Sequence, residues 1–159
     1  MKNLLFNIGK KSRNAFFSRL NTKVKNKVLH DYCQLIKKNR KLIINENKKD
    51  IKKAVEKKSR SNLINRLILN EEKISSIINS IKTIIKLKDP TNIVLEKWKR
   101  PNGLNISKVS IPIGTIAVIY ESRPNVTCDI AAISFKTGNA AILSLIHISE
   151  PTRRTPISY

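Results

Sequence analysis

Apolar residues recur along this chain at two spacings, and the change from one to the other comes at Asp89-Pro90. Before that point the spacing is helical. After Asn21 and Thr22, either of which can cap a helix, Val24, Val28, Tyr32 and Leu35/Ile36 mark one face of a helix running to about Asn39. Leu42, Ile43, Asn47, Asp50/Ile51, Ala54 and Val55 continue the period to about Lys58, with lysines on the remaining positions as a solvated face. Ser59-Arg60-Ser61 interrupts it. Leu63, Ile64, Leu67 and Ile68 predict a short third helix, and Asn70 is placed to cap a fourth whose stripe is Ile74, Ile77/Ile78, Ile81 and Ile84/Ile85. The proline then ends the helical part, because it disfavours helical backbone in the residue before it.

Beyond it the pattern belongs to strands. Ile93 to Trp98 and Leu104 to Ile111 predict a hairpin joined at Arg100-Pro101-Asn102-Gly103, with Trp98, the only tryptophan, packed against it. Thr115 to Tyr120 is a continuous apolar, β-branched run of the kind found in a parallel strand covered on both faces, and Gly114 before it allows close backbone approach. Glu121-Ser122-Arg123-Pro124-Asn125 breaks the run. From Val126 the spacing is helical again (Val126, Ile130, Ile133; Ala131, Ser134, Phe135), Gly138 sits where a helix C-terminus wants a left-handed residue, and Ala140 to Leu143 is another buried strand. Strand, sharp loop, helix and strand in this order make half of a nucleotide-binding α/β sheet.

Composition changes that picture in one respect. The 159 residues suit one domain, and 40% hydrophobic residues suffice for its core. The charge is extreme: 32 Lys and Arg against 11 Asp and Glu give +21, which raises nucleic acid or an anionic membrane as partners. The basic residues lack aromatic interleaving, at 5% aromatics, and no zinc-finger, RNP or basic-zipper pattern occurs. The excess is mostly Lys, beside many Ile and Asn and few Gly, a bias that an A- and T-rich coding sequence imposes. No specific nucleic acid and no membrane is therefore expected. Cys33 and Cys128 have no Cys or His at metal-ligand spacing, so no metal and no disulfide framework is indicated, and a reducing cytoplasm fits. The basic, acid-free start has some likeness to a transit peptide, but its apolar runs are too short for a signal peptide or a membrane span.

The loop ESRPNVT at 121–127, preceded by the Pro112-Ile113-Gly114 turn and an apolar strand and followed by KTGNAAIL at 136–143, resembles the gamma-glutamyl phosphate reductases, also called glutamate-5-semialdehyde dehydrogenases, of the aldehyde dehydrogenase superfamily. The pentapeptide Glu121 to Asn125 is the specific part. KNKVL at 25–29, the Asn45/Asn47/Asp50 cluster, Asn65-Arg66-Leu67, LKDP at 87–90 and RPNGL at 100–104 follow the same family in order, so the resemblance covers roughly Ala15 to Leu143. It implies an α/β fold: N-terminal helices, a β-hairpin, then the first βαβ part of a Rossmann-like cofactor-binding domain, with 1–143 as the N-terminal part of an NADP-binding domain and 92–111 as an oligomerisation hairpin. It also implies NADPH-dependent reduction of L-glutamyl 5-phosphate in proline biosynthesis, a homo-oligomer, and glutamate 5-kinase as a partner. Another aldehyde dehydrogenase and a basic nucleic-acid-binding protein are the alternatives.

For individual residues, the resemblance matches Asn125 to the side-chain amide that holds the tetrahedral oxyanion, a neutral donor aimed at developing negative charge. By spacing alone Asn125 is a cap for a helix starting at Val126. Ser122 and Arg123 are expected to border the cofactor, the guanidinium lying at the carboxyl end of a parallel strand beside a helix N-terminus, where phosphate or carboxylate is welcome. Cys128, one helical turn beyond Asn125, is read as a small core residue, since the family's nucleophilic cysteine belongs to a separate downstream domain. His30 is expected on the surface, and His147 falls in the tail. After Leu143 the family continues with a basic residue and two glycines; here stand Ser144, Leu145 and Ile146. Residues 144–159 match nothing in the family and are expected to be adapter or vector sequence joined to a truncated reading frame. The chain alone is then expected to be inactive and its open sheet edge to promote aggregation.

Overall fold

The computed structural model describes residues 2–17, 20–121 and 123–146. Five helices come first: α1 (Lys2–Phe17), α2 (Thr22–Lys38), α3 (Arg40–Glu56), α4 (Ser61–Leu67) and α5 (Glu71–Lys86). A hairpin follows, β1 (Val94–Lys99) and β2 (Asn105–Val109), then the unit β3 (Thr115–Glu121), α6 (Pro124–Lys136) and β4 (Ala140–Ile146). The predicted α2 to α5 and the hairpin are present within a few residues of their expected bounds, and two predicted caps form. Asn21 accepts from the Val24 N–H at 2.9 Å and Asn70 from the Lys73 N–H at 2.8 Å, each satisfying one of the orphan donors of its helix. Helix α1 was not legible in the periodicity; it packs on β4 and β3.

The core is built on α5. Ile74, Ile77, Ile78 and Ile81 are buried along one stripe and meet Leu29, Cys33 and Ile36 of α2 and Ala132 of α6. Each fully buried isoleucine contributes about 1.5–3 kcal/mol, so this stripe fastens the helical layer to the βαβ unit. On α2 the buried face is one residue further along the helix than the apolar pattern predicts. Lys25, Leu29, Cys33 and Ile36 are buried, while Val24, Val28 and Leu35 stay exposed. Leu42 and Val55 of α3 are likewise exposed, and the polar Asn47 is buried.

The reason is a set of buried polar groups that tie elements together. Lys25, 3% exposed, donates to Asp89 Oδ2 at 3.0 Å and to Thr91 Oγ1 at 3.3 Å, and Asp89 also accepts from Thr22 Oγ1 and from the Thr91 N–H and hydroxyl. The chain leaving α5 is thus clamped to the start of α2. Lys136, 2% exposed, reaches Asn26 Oδ1 at 2.6 Å and the Ile85 carbonyl at 3.0 Å, placing a cation at the C-terminal turn of α5 where the helix dipole favours it. Asn47 holds the end of α4 by donating to the Leu67 carbonyl and accepting from the Leu69 N–H.

Strands β3 and β4 pair in parallel from Thr115 with Ala140 to Glu121 with Ile146, so β4 runs past the predicted end at Leu143. One expectation is corrected: β3 is covered on one face only. Ile116, Val118 and Tyr120 turn inward, while Thr115, Ala117, Ile119 and Glu121 are exposed. The apolar run reads as two-sided because it is continuous, but the burial alternates along the strand, and of the outward positions Thr115 alone has a hydrogen-bond partner on a helix among the described residues, Ser12 of α1. At the amino end of the strands Gly138, with φ +71°, closes α6 in the expected left-handed conformation, and Asn139 accepts from the Gly114 N–H at 2.9 Å. The hairpin β1–β2 is antiparallel, and Trp98 lies on β1 opposite Ile106, part exposed to solvent. Residues 147–159, and with them His147 and most of the predicted tail, lie outside the described residues.

Candidate functional site

The carboxyl end of β3 turns directly into α6, and this turn carries the predicted site. Pro124 occupies the first helical position, where a missing N–H costs nothing and the fixed φ suits the helix. The helix therefore starts two residues earlier than its apolar pattern indicates. The cap position falls to Arg123, whose side chain makes no capping bond, and Asn125 lies inside the first turn with an exposed side chain. The reading of Asn125 as the helix cap is thereby corrected. Tyr120 at the strand end and Thr127 in the first turn are joined through their hydroxyls, which fixes the angle between strand and helix.

The structure brings Arg123 and Asn125 together at one edge; Ser122 between strand and helix lies outside the described residues. The first turn of α6 has no acidic residue, so its positive end and the exposed Arg123 together favour an anionic group. The phosphates of a dinucleotide fit that donor set. Ser144 is exposed on β4 beside Ile119.

Cys128 belongs to the core side of the helix. It packs against the buried cluster, burial raises its thiol pKa, and a hydrogen bond with Tyr32 only partly opposes this. Tyr32 is raised as well, first by burial and then by the same contact. Such a thiol is protonated at neutral pH and a poor nucleophile. His30 is exposed, and among the described residues no group of three His, Cys, Asp or Glu is placed to hold a metal. No described helix is long and apolar enough to cross a membrane.

Two features were missed by sequence reasoning. A cavity of about 190 Å³ opens below Asn125, bounded by Asp129, by Arg66 of α4, and by Lys73, Ser76 and Ser80 of α5. Asp129 follows Asn125 by one helical turn; its pKa is raised by burial, and its Oδ1 is buried without a hydrogen-bond partner among the described residues. Asn65-Arg66-Leu67 stands in the sequence as a landmark and Asp129 does not; only the packing of α5 against α6 brings Asp129 to the same space as Arg66. A larger cleft of about 580 Å³ lies at the opposite, amino-terminal edge of the strands, between α1, α6 and the Thr91–Pro112 region.

A parallel strand pair joined by a helix whose N-terminus meets the carboxyl edge of the sheet, behind a layer of helices, defines the class: a mixed α/β fold with a βαβ unit. No family model matches the chain. It is 49% identical over 124 residues to the gamma-glutamyl phosphate reductase of Nautilia profundicola, covering 78% of this chain and 30% of that protein, and 43% identical over 141 residues to that of Clostridium tetani, covering 87% and 33%. The solved gamma-glutamyl phosphate reductase of Thermotoga maritima superposes with a TM-score of 0.85 at 38% identity, covering 89% of this chain and 34% of that one. The Saccharomyces cerevisiae enzyme gives 0.83 at 32%, covering 88% and 36%. This chain is a homologue of the gamma-glutamyl phosphate reductases and spans about a third of their length.

Proposed function

We propose that this chain forms the amino-terminal part of the cofactor-binding domain of a gamma-glutamyl phosphate reductase. The observation that carries the reading is the 49% identity over 124 residues together with the 0.85 superposition over 89% of the chain. The reaction is reduction of L-glutamyl 5-phosphate to L-glutamate 5-semialdehyde with release of inorganic phosphate, in the cytoplasm, as a step of proline biosynthesis. When bound, NADPH supplies the hydride. Arg123, at the positive end of α6, would hold the cofactor together with Ser122, its neighbour in sequence. The Asn125 amide donates to the carbonyl oxygen of the acyl group as negative charge builds there, and the strand–helix junction through Tyr120 and Thr127 keeps that donor in place. Cys128, protonated and packed inward, takes no part; the thiolate comes from outside these residues. The hairpin, exposed along β1, pairs subunits, and a glutamate 5-kinase delivers the acyl phosphate.

The test is Asn125→Ala in a full-length reductase carrying this segment. Loss of one oxyanion donor is expected to lower kcat by about 10²–10³, with KM for the acyl phosphate nearly unchanged. A kcat within a few-fold of the parent sinks the assignment of Asn125. Faster turnover of simple aldehydes than of glutamate semialdehyde in the same assay points instead to another aldehyde dehydrogenase.

A further inference from the structure

The cleft at the amino-terminal edge of β3 and β4 has apolar walls with two buried polar groups set into them. Its volume of about 580 Å³ lies in the range of small-molecule sites. Phe16, Phe135 and Leu143 supply apolar wall, and Ser134 and Lys25 line the same space. Ser134 is 4% exposed, and its hydroxyl makes no hydrogen bond to another described residue. Ser75, Thr83 and Thr137 turn their hydroxyls back to the carbonyl four residues earlier, as Ser and Thr inside helices do; Ser134 does not. Nor is its oxygen sealed, because the sealed side-chain atoms without a partner among the described residues are Arg40 Nε and Asp129 Oδ1. The Ser134 hydroxyl is therefore unused by the protein and within reach of a water-sized molecule.

Lys25, 3% exposed, is the second group. An ammonium carries three protons, and two of them go to Asp89 Oδ2 and Thr91 Oγ1. The third has no partner among the described residues. Gly138 puts no side chain over this ammonium: a Cβ built there would lie 3.5 Å from Nζ. Gly138 follows Ser134 by about one helical turn, so the two unused donors are neighbours. Two donors on an apolar surface ask for an acceptor, and Asp89 decides its charge. Its carboxylate stands 3.0 Å from Nζ and already neutralises it, so a second anion would meet that carboxylate at close range and a cation would meet the ammonium. We propose that this cleft binds a small apolar molecule bearing one neutral carbonyl group, whose oxygen accepts from the Ser134 hydroxyl and the third Lys25 proton while its hydrocarbon body lies against Phe16, Phe135 and Leu143. The site is at the opposite edge of the sheet from Arg123 and Asn125 and does not depend on the reductase reading.

The test is titration of the ¹⁵N-labelled chain with acetophenone, with ethylbenzene, which is the same skeleton without the oxygen, and with benzoate, which carries a charged head instead. Acetophenone is expected to shift the amides of Ala131, Ser134, Phe135 and Ala141 and to bind about tenfold more tightly than either of the others. Ser134→Ala is expected to weaken acetophenone about fivefold and leave ethylbenzene unchanged, with the same Tm, since no hydrogen bond within the protein is lost. Equal binding of acetophenone and ethylbenzene, tighter binding of benzoate, or shifts confined to residues away from the cleft overturns the proposal. Shifts of the same amides with protein concentration alone place a second copy of the chain in the cleft, and loss of acetophenone binding in a full-length reductase carrying this segment makes the cleft a seat for the rest of that chain; either result also overturns it. The three probes decide the matter on the unaltered chain, so a variant that fails to fold does not blunt the test.

Discussion

Lys25 and Asp89 show how two charges far apart in sequence decide the packing around them. Burial by itself would raise the Asp89 pKa, but the Thr91 N–H, Lys25, and the Thr91 and Thr22 hydroxyls bind its charged form, and the net effect holds it well below the usual carboxylate range. The unfolded chain therefore takes up a proton at ordinary carboxylate pH where the folded one does not. Stability from this pair is fully present above about pH 4–5 and is lost as pH falls below that range. Asp89→Asn leaves Lys25 buried and unmatched, which typically costs about 3–5 kcal/mol. The expected result is a lower urea midpoint at pH 7 and a flatter loss of stability on acidification; a variant as acid-sensitive as the parent contradicts the assignment. Asp129 has the opposite sign, because burial favours its protonated form and its contribution worsens as pH rises through the raised value.

At the scale of elements, the turn between α6 and β4 is the place where one residue type is required. Gly138 has φ +71°, and a Cβ built there lies 3.2 Å from Pro112 Cγ. Gly138→Ala combines left-handed strain of about 1–2 kcal/mol with a crowded neighbour. A drop in Tm of several degrees is expected, with the same far-UV spectrum; an unchanged Tm shows that the turn can shift freely. The α5 stripe was fully legible because isoleucines at every third or fourth position allow only one burial direction, and Ile81 is 0% exposed. The α2 face was not, because Val24 and Val28 outbid Lys25 on any hydropathy scale. The start of α6 was read two residues late, since Pro124 signals a helix start as well as a break.

For the whole molecule, exposed apolar side chains occur on most elements, and some of the most exposed lie on β3 and the segment before it. Ile113 is 86% exposed, with Ile111 and Ile119 also open to solvent, and the outer backbone edges of a two-stranded sheet stand beside them. Contiguous apolar surface next to a strand edge promotes association. Sedimentation velocity is expected to show concentration-dependent self-association that is relieved by Ile119→Lys; a monomer at all concentrations rules this out. The charge of +21 opposes association, so added salt should strengthen it.

Periodicity, caps and turn residues determined α2 to α5, the hairpin and the strand–helix–strand unit without tertiary information, since each rests on neighbours within a few positions. The ESRPN loop likewise carried Arg123 and Asn125 in one short segment. What packing alone decided was which face of α2 is buried, the sinking of Lys25 and Lys136, the one-sided cover of β3, and the meeting of Asp129 with Arg66 and Lys73. These depend on partners tens of residues away, and the energy of a buried charge is set by the groups opposite it, which no local pattern records.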